Sequence, residues 1–190
     1  MTHGWAVGAD FLDAAQWHGL RERLLHLDAV GQMRPAATGA GRDVRVRTAI
    51  RGDQLAWLER PYTTGEEQLL GRLEQLRCSL NQGLQLGLFD LECQYALYRT
   101  GARYARHSDI ARAGAERVVS VVLYLNDGWQ VGDGGELCLY TKAGPVHVQP
   151  RGGSIVLFLS AQFEHEVMIS QRPRCSMAGW FRRRARVAAH

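Results

Sequence analysis

The sequence predicts a mainly β fold: a sandwich, jelly roll or barrel of short strands with helices packed against it. Three observations carry this expectation. The hydrophobic period is helical through the first ninety residues, it changes after Leu91 to short β-type runs, and Gly, Pro, Asn and Asp turn signals separate those runs. With 190 residues, 46% of them hydrophobic and 22% charged, the chain can bury a sizeable core without staples. Internal repeats and low-complexity segments are absent, so residues 1–190 are read as one domain.

In chain order, residues 1–90 form a helical support. Leu20, Leu24 and Leu27 recur at helical spacing after a polar entry around Asp10 and Asp13. A second helix is announced by Thr64 and Glu67 at capping-box spacing, and Leu69, Leu73, Leu76 and Leu80 then form one apolar stripe ending near Gly83. Between the helices, residues 38–57 are too polar for core and too apolar at Val44, Val46 and Ile50 for plain linker, which predicts a strand pair with a projecting loop. Residues 91–182 form the β core. Its strands are expected at Leu91–Tyr98, Arg117–Asn126, Glu136–Tyr140, Val146–Gln149, Ser154–Ser160 and Cys175–Phe181, with turns such as Asn126-Asp127-Gly128 and Pro150-Arg151-Gly152-Gly153 between them. Residues 183–190 close the chain as a basic tail.

Charge and cysteine usage exclude several function classes. Arg182, Arg183, Arg184 and Arg186 crowd the end of the chain, and without them 19 basic residues face 19 acidic ones. The basic balance is thus that of a solvated tail, and nucleic acid is not the expected partner. The four cysteines form no CxxC pair and no zinc spacing, and no charged leader precedes an apolar run. The longest apolar run, Val118–Leu125, is broken by Ser120 and Tyr124 and is far too short to span a bilayer. A reduced, cytoplasmic location without membrane contact is expected.

Among seven histidines, His107 stands out because Asp109 follows two residues later, on the same face of extended chain. A later histidine, His165, lies just beyond a strand in the run Phe163-Glu164-His165-Glu166-Val167. Two imidazoles and one carboxylate on one face of a metal leave three positions open, which suits non-haem Fe(II) that must take a cosubstrate and oxygen together. Arg174, nine residues after His165, supplies a planar fork that can hold a carboxylate bidentately. Zinc is the rival metal, but it usually keeps one open position and no HExxH pattern is present. His147, in a short alternating strand, competes with His165 as second ligand, with nothing carboxylate-binding behind it.

The runs Tyr98-Arg99-Thr100-Gly101-Ala102-Arg103-Tyr104-Ala105-Arg106-His107-Ser108-Asp109, Tyr124-Leu125-Asn126 with Trp129, Gly134-Gly135-Glu136-Leu137, and His165-Glu166-Val167 with Arg174 and Trp180 resemble the iron- and 2-oxoglutarate-dependent prolyl hydroxylases. Ile50-Arg51-Gly52-Asp53 followed by Trp57 is similar to the mobile substrate-covering loop of the branch that holds the hypoxia-inducible-factor prolyl hydroxylases and their bacterial relatives. The resemblance covers Arg45 to Arg182 and implies a double-stranded β-helix. It further implies His107, Asp109 and His165 as iron ligands, Arg174 on the distal carboxylate of 2-oxoglutarate, and Tyr98 lining the pocket beside that cosubstrate. Arg51, Asp53, Trp57 and Trp180 would serve the substrate loop and channel, with Asp53 paired to Arg117 at the loop base. Two departures stand out: Leu123 where the animal enzymes carry a tyrosine, and Ala178 where they carry a threonine. With Leu123 in that place, Tyr98 is expected to take more of the polar contact.

The resemblance implies an Fe(II)- and 2-oxoglutarate-dependent dioxygenase that consumes O2, uses ascorbate as accessory reductant, and hydroxylates a prolyl residue in a protein partner. The alternatives are an oxygenase of the same kind acting on a small molecule or free amino acid, and a non-catalytic cupin-like binding module.

Overall fold

The computed structural model describes residues 3–37, 45–109 and 116–184. In chain order these form β1 (Trp5–Gly8), α1 (Ala14–Ala29), β2 (Arg34–Pro35), β3 (Asp53–Trp57), α2 (Thr64–Leu84), β4 (Asp90–Tyr98), β5 (Tyr104–His107) and β6 (Glu116–Tyr124). They continue as β7 (Leu137–Thr141), β8 (Gly144–Val148), β9 (Ile155–Leu159), β10 (His165–Val167) and β11 (Arg174–Arg183).

Asp13 caps α1 by accepting from the Gln16 amide at 2.9 Å. The second capping box sits one residue earlier than expected, on Thr63 and Glu66. Glu66 takes this place over Glu67 because its carboxylate is buried and also receives the Tyr95 hydroxyl at 3.0 Å, whereas Glu67 is exposed. Leu20, Leu24 and Leu27 from α1 and Leu69, Leu73 and Leu80 from α2 are buried in one cluster, with Leu76 half-buried against it. No helix among the described residues is long and apolar enough to cross a membrane.

The strands form two sheets, ordered β1-β9-β6-β11-β4-β3-β2 and β5-β10-β7-β8, and every named pairing is antiparallel. This is the double-stranded β-helix. Alternation gives each central strand two apolar faces. Cys93, Tyr95, Leu97, Val119, Val121, Leu123, Cys175, Met177 and Phe181 meet the helices. On the opposite face, Tyr124, Val156 and Phe158 meet Leu137, Leu139 and Val148 of the smaller sheet.

Two expectations change here. Asp53–Trp57 pairs along its whole length with β4, from Asp53 opposite Tyr98 to Trp57 opposite Gln94, so the last five residues of the segment 38–57 are a sheet strand. Its partner on the other side is the two-residue β2, and residues 38–44 lie outside the described residues. Arg182 and Arg183 belong to β11 rather than to a tail. Arg182 is paired with Asp90 at 2.6 Å and Glu92 at 3.1 Å, and Arg183 with Glu116 at 2.6 Å, while residues 185–190 lie outside the described set.

Candidate active site

Between the sheets lies a cavity of about 130 Å³. The inward face of β4 lines it with Gln94, Ala96 and Tyr98, and the inward face of β11 with Arg174, Ser176, Ala178 and Trp180. His107 ends β5 and His165 starts β10, directly opposite each other in the ladder, which sets two imidazoles side by side at the cavity wall. Asp109 comes in from the segment after β5. Its Oδ1 lies 3.7 Å from His107 Nε2 and its Oδ2 lies 3.5 Å from His165 Nε2. The ligand atoms of all three residues are within 4.8 Å of one another, a spacing that an ion bonded at about 2.1 Å to each can close with small side-chain movement.

The surroundings prepare these groups to bind a cation. The Ala105 carbonyl, 2.8 Å from His107 Nδ1, can only accept, so Nδ1 carries the proton and Nε2 presents its lone pair to the site. Burial, reinforced by the neighbouring His165, pulls His107 down to about 4 and keeps it neutral. Burial alone would raise the Asp109 carboxyl, but His165, His107, Trp180 and Ser120 outweigh it and hold the carboxyl below its usual range.

At the other end of the cavity Arg174 is 1% exposed. Its Nε donates to the Gly135 carbonyl at 2.8 Å and its Nη1 to the Ser176 hydroxyl at 2.9 Å, and among the described residues it forms no ion pair. A buried guanidinium without a counter-charge is costly and calls for an anion. The glycine turn makes this arrangement possible. Gly134 and Gly135 both hold positive φ, and a Cβ on Gly135 would meet Arg174 Cδ at 3.0 Å and Trp129 at 3.2 Å. Trp129 Nε1 pins the turn by donating to the Gly134 carbonyl at 3.0 Å. Arg174 Cζ stands 4.9 Å from the Tyr98 ring and 5.2 Å from the Tyr124 ring. The Tyr124 hydroxyl is buried without a hydrogen-bond partner.

Tyr124 was missed as a site residue, and the reading of Leu123 is corrected with it. Leu123 faces the helices, so it neither occupies nor vacates a cosubstrate contact, and the phenol beside Arg174 is its neighbour Tyr124. Ala178 does line the cavity. The signal for Tyr124 was present as a polar interruption of the run Val118–Leu125. Ser120, four residues earlier on the same inward face, donates to Asp109 Oδ2 at 2.7 Å.

The expected pair of Asp53 with Arg117 does not form. Asp53 stands in the Tyr98–Arg174 row of the sheet and Arg117 in the Arg182–Asp90 row, at opposite ends of β11. Asp53 instead holds Arg51 through two hydrogen bonds of 2.8 and 3.0 Å, and Arg117 holds Glu92 at 2.6 Å while its Cζ lies 3.7 Å from the Trp180 ring. Trp57 is exposed at the rim and its ring centroid is 6.3 Å from that of Trp180, whose buried indole N–H helps hold the Asp109 carboxyl down. His147 is exposed and outside the cavity lining, so it takes no part in the cluster.

Residues 93–182 match the family model for the 2OG-Fe(II) oxygenase superfamily. A prolyl-4-hydroxylase from Pseudomonas putida is similar over 97% of this chain and 95% of its own, with 43% identity and a TM-score of 0.88. A prolyl hydroxylase from Trichoplax adhaerens, solved with a peptide fragment of the hypoxia-inducible-factor oxygen degradation domain, aligns over 95% of this chain and 84% of its own, at 27% identity and TM-score 0.84. A collagen prolyl hydroxylase from Paramecium bursaria Chlorella virus-1, at 14% identity and TM-score 0.67, shares the fold, covering 95% of this chain and 96% of its own. The two-imidazole, one-carboxylate cluster, the unpaired buried guanidinium and the unpartnered phenol suit Fe(II) with a keto acid that carries a second carboxylate. On this combination of fold, site and similarity, the chain belongs to the 2OG-Fe(II) oxygenase superfamily and is a 2-oxoglutarate-dependent dioxygenase.

Proposed function

We propose that this dioxygenase hydroxylates a prolyl residue in a protein or peptide partner, with His107, Asp109 and His165 holding the iron and Arg174 holding the distal carboxylate of 2-oxoglutarate. The observation that carries the substrate half is the Trp57–Trp180 pair. One indole lies at the rim and one beside Asp109, their planes 50° apart, giving two tilted apolar faces next to the metal cluster against which a pyrrolidine ring can pack. The similarity to two prolyl hydroxylases at 43% and 27% identity supports the same reading.

When bound, iron and 2-oxoglutarate use O2 to hydroxylate a C–H bond and release succinate and CO2. The chain's own contribution is placement. His107 offers a neutral Nε2 because Ala105 fixes its tautomer. Arg174, already held by Gly135 and Ser176, has its fork set for a carboxylate, and the Tyr124 hydroxyl is placed to donate to the same group. Tyr98 closes the wall and excludes water from this end. Residues 1–190 act as one catalytic domain in this reading. A reducing, cytoplasmic setting belongs to it as well, in keeping with four unpaired cysteines, three of them buried.

The test is a proteome-wide comparison of hydroxyproline sites in cells carrying the wild type and Asp109→Ala. The expected result is one or a few prolyl sites hydroxylated with the wild type alone. No change at any prolyl site, together with turnover of free amino acids by the purified enzyme, would overturn the protein-hydroxylase reading.

A further inference from the structure

We propose that Ser120 and Ser160 are positioning residues for Asp109, forming a one-way hydroxyl relay that engages one carboxylate oxygen and leaves the other as the metal ligand. Ser120 Oγ lies 2.7 Å from Asp109 Oδ2 and 2.9 Å from Ser160 Oγ. A carboxylate oxygen only accepts, so the single proton of Ser120 is committed to Asp109. Ser120 then has only lone pairs to offer Ser160, and the donor in that pair is Ser160. The direction runs from Ser160 to Ser120 to Oδ2.

Both serines are essentially sealed from water, at 1% and 0% exposure, so nothing competes for these hydrogen bonds. Their backbones are rigid. Ser120 sits in the middle of β6 with register partners on both sides, Trp180 of β11 and Phe158 of β9, and the Ser160 amide donates to the Val118 carbonyl at 3.0 Å. Asp109 has no such support, because it lies past the end of β5 outside any strand. The relay is the means by which the larger sheet fixes a ligand that lies outside any strand.

With Oδ2 engaged, Oδ1 on the His107 side is left to face the ion. A carboxylate binding through one oxygen keeps three of six positions open for a two-toothed keto acid and oxygen, whereas binding through both would close one of them. This inference rests on the iron site and not on the identity of the substrate, so its failure is separable from failure of the prolyl reading.

The experiment is titration of the metal-free protein with Mn(II), followed through the EPR signal of the free ion, with the melting temperature of the metal-free protein recorded alongside. Loss of an outer hydrogen bond to a ligand costs roughly 10- to 100-fold in affinity, and that is the weakening expected for Ser120→Ala. Ser160→Ala should fall between it and the wild type, and Ser120→Thr, which restores the hydroxyl, should bind as the wild type does. Ser120→Ala within about twofold of the wild type would overturn the proposal, even if its metal-free protein melts lower, because that pattern assigns the serines to packing alone. Should Ser120→Ala not fold, Ser160→Ala decides: unchanged Mn(II) affinity overturns the relay.

Discussion

The phenol ring of Tyr104 lies face to face with the imidazole of His107, with centroids 3.6 Å apart and planes 16° from parallel. Together with the bond from Nδ1 to Ala105, this contact fixes both the plane and the rotation of a ring proposed to ligate the metal. Arg51 Cζ stands 4.7 Å from the Tyr104 ring and its guanidinium is held by Asp53, so the first residue of β3 is connected to the metal cluster through three side chains. Tyr104→Phe preserves the stack and should leave metal affinity near that of the wild type. Tyr104→Ala should weaken it roughly tenfold, as loss of outer support does elsewhere. Mn(II) titration of the metal-free variants checks both.

The Arg51–Asp53 pair has its own signature. The Asp53 side chain is 0% exposed and that of Arg51 is 16% exposed, so removing the carboxylate strands a mostly buried cation. Asp53→Ala should destabilise by about 3–5 kcal/mol. In urea unfolding, a double-mutant cycle should show coupling between Arg51 and Asp53 and additivity between Asp53 and Arg117. Coupling in the second cycle would contradict the pairing seen here.

Acid should weaken the metal-free fold. His107 stays neutral down to about pH 4 in the folded chain, while an unperturbed histidine takes its proton near 6.5, so between these values the unfolded chain binds more protons. The contribution, roughly 3 kcal/mol, is fully present above about pH 6.5 and is lost as pH falls through 4. The lowered Asp109 carboxyl acts with the same sign further into acid. Urea unfolding of EDTA-treated protein at about pH 7, 5.5 and 4 measures it, and a gain in stability toward pH 4 would contradict the assignment.

Neighbouring residues on β6 should behave oppositely. Tyr124→Phe removes the hydroxyl beside Arg174 and should weaken 2-oxoglutarate binding roughly tenfold, the effect of a hydrogen bond to a charged group. Leu123→Tyr should leave that affinity unchanged and lower stability by about 1–3 kcal/mol, because it overfills the helix-facing core. Calorimetric 2-oxoglutarate titrations and melting curves separate the two.

Much of this was legible in the sequence. The leucine stripes of both helices, six of the strands, His107, Asp109, His165 and Arg174 carry periodic or chemical signals strong enough to read without a partner. What escaped depends on register across the sheet. β5 and β10 are too short, at four and three residues, to show a period, yet their pairing sets the two histidines opposite each other. The assignment of Leu123 failed by one residue, which in a strand is the difference between the two faces. Asp53 and Arg117 were joined by resemblance, but three strand steps and opposite ends of β11 separate them. Ser120 was visible only as a polar interruption of an apolar run and Tyr124 as that and as the first residue of a family motif, and their roles required knowing what lies across the cavity.

The most direct measurement is the visible charge-transfer absorption that forms when Fe(II) and 2-oxoglutarate are added without oxygen. The expected result is a band in the wild type, its loss in His165→Ala, and at least a tenfold higher 2-oxoglutarate requirement in Arg174→Met, on the order of the effect of losing a charged hydrogen bond. A wild type without the band, or an Arg174→Met variant that saturates at the same 2-oxoglutarate concentration, would contradict the site described for this enzyme.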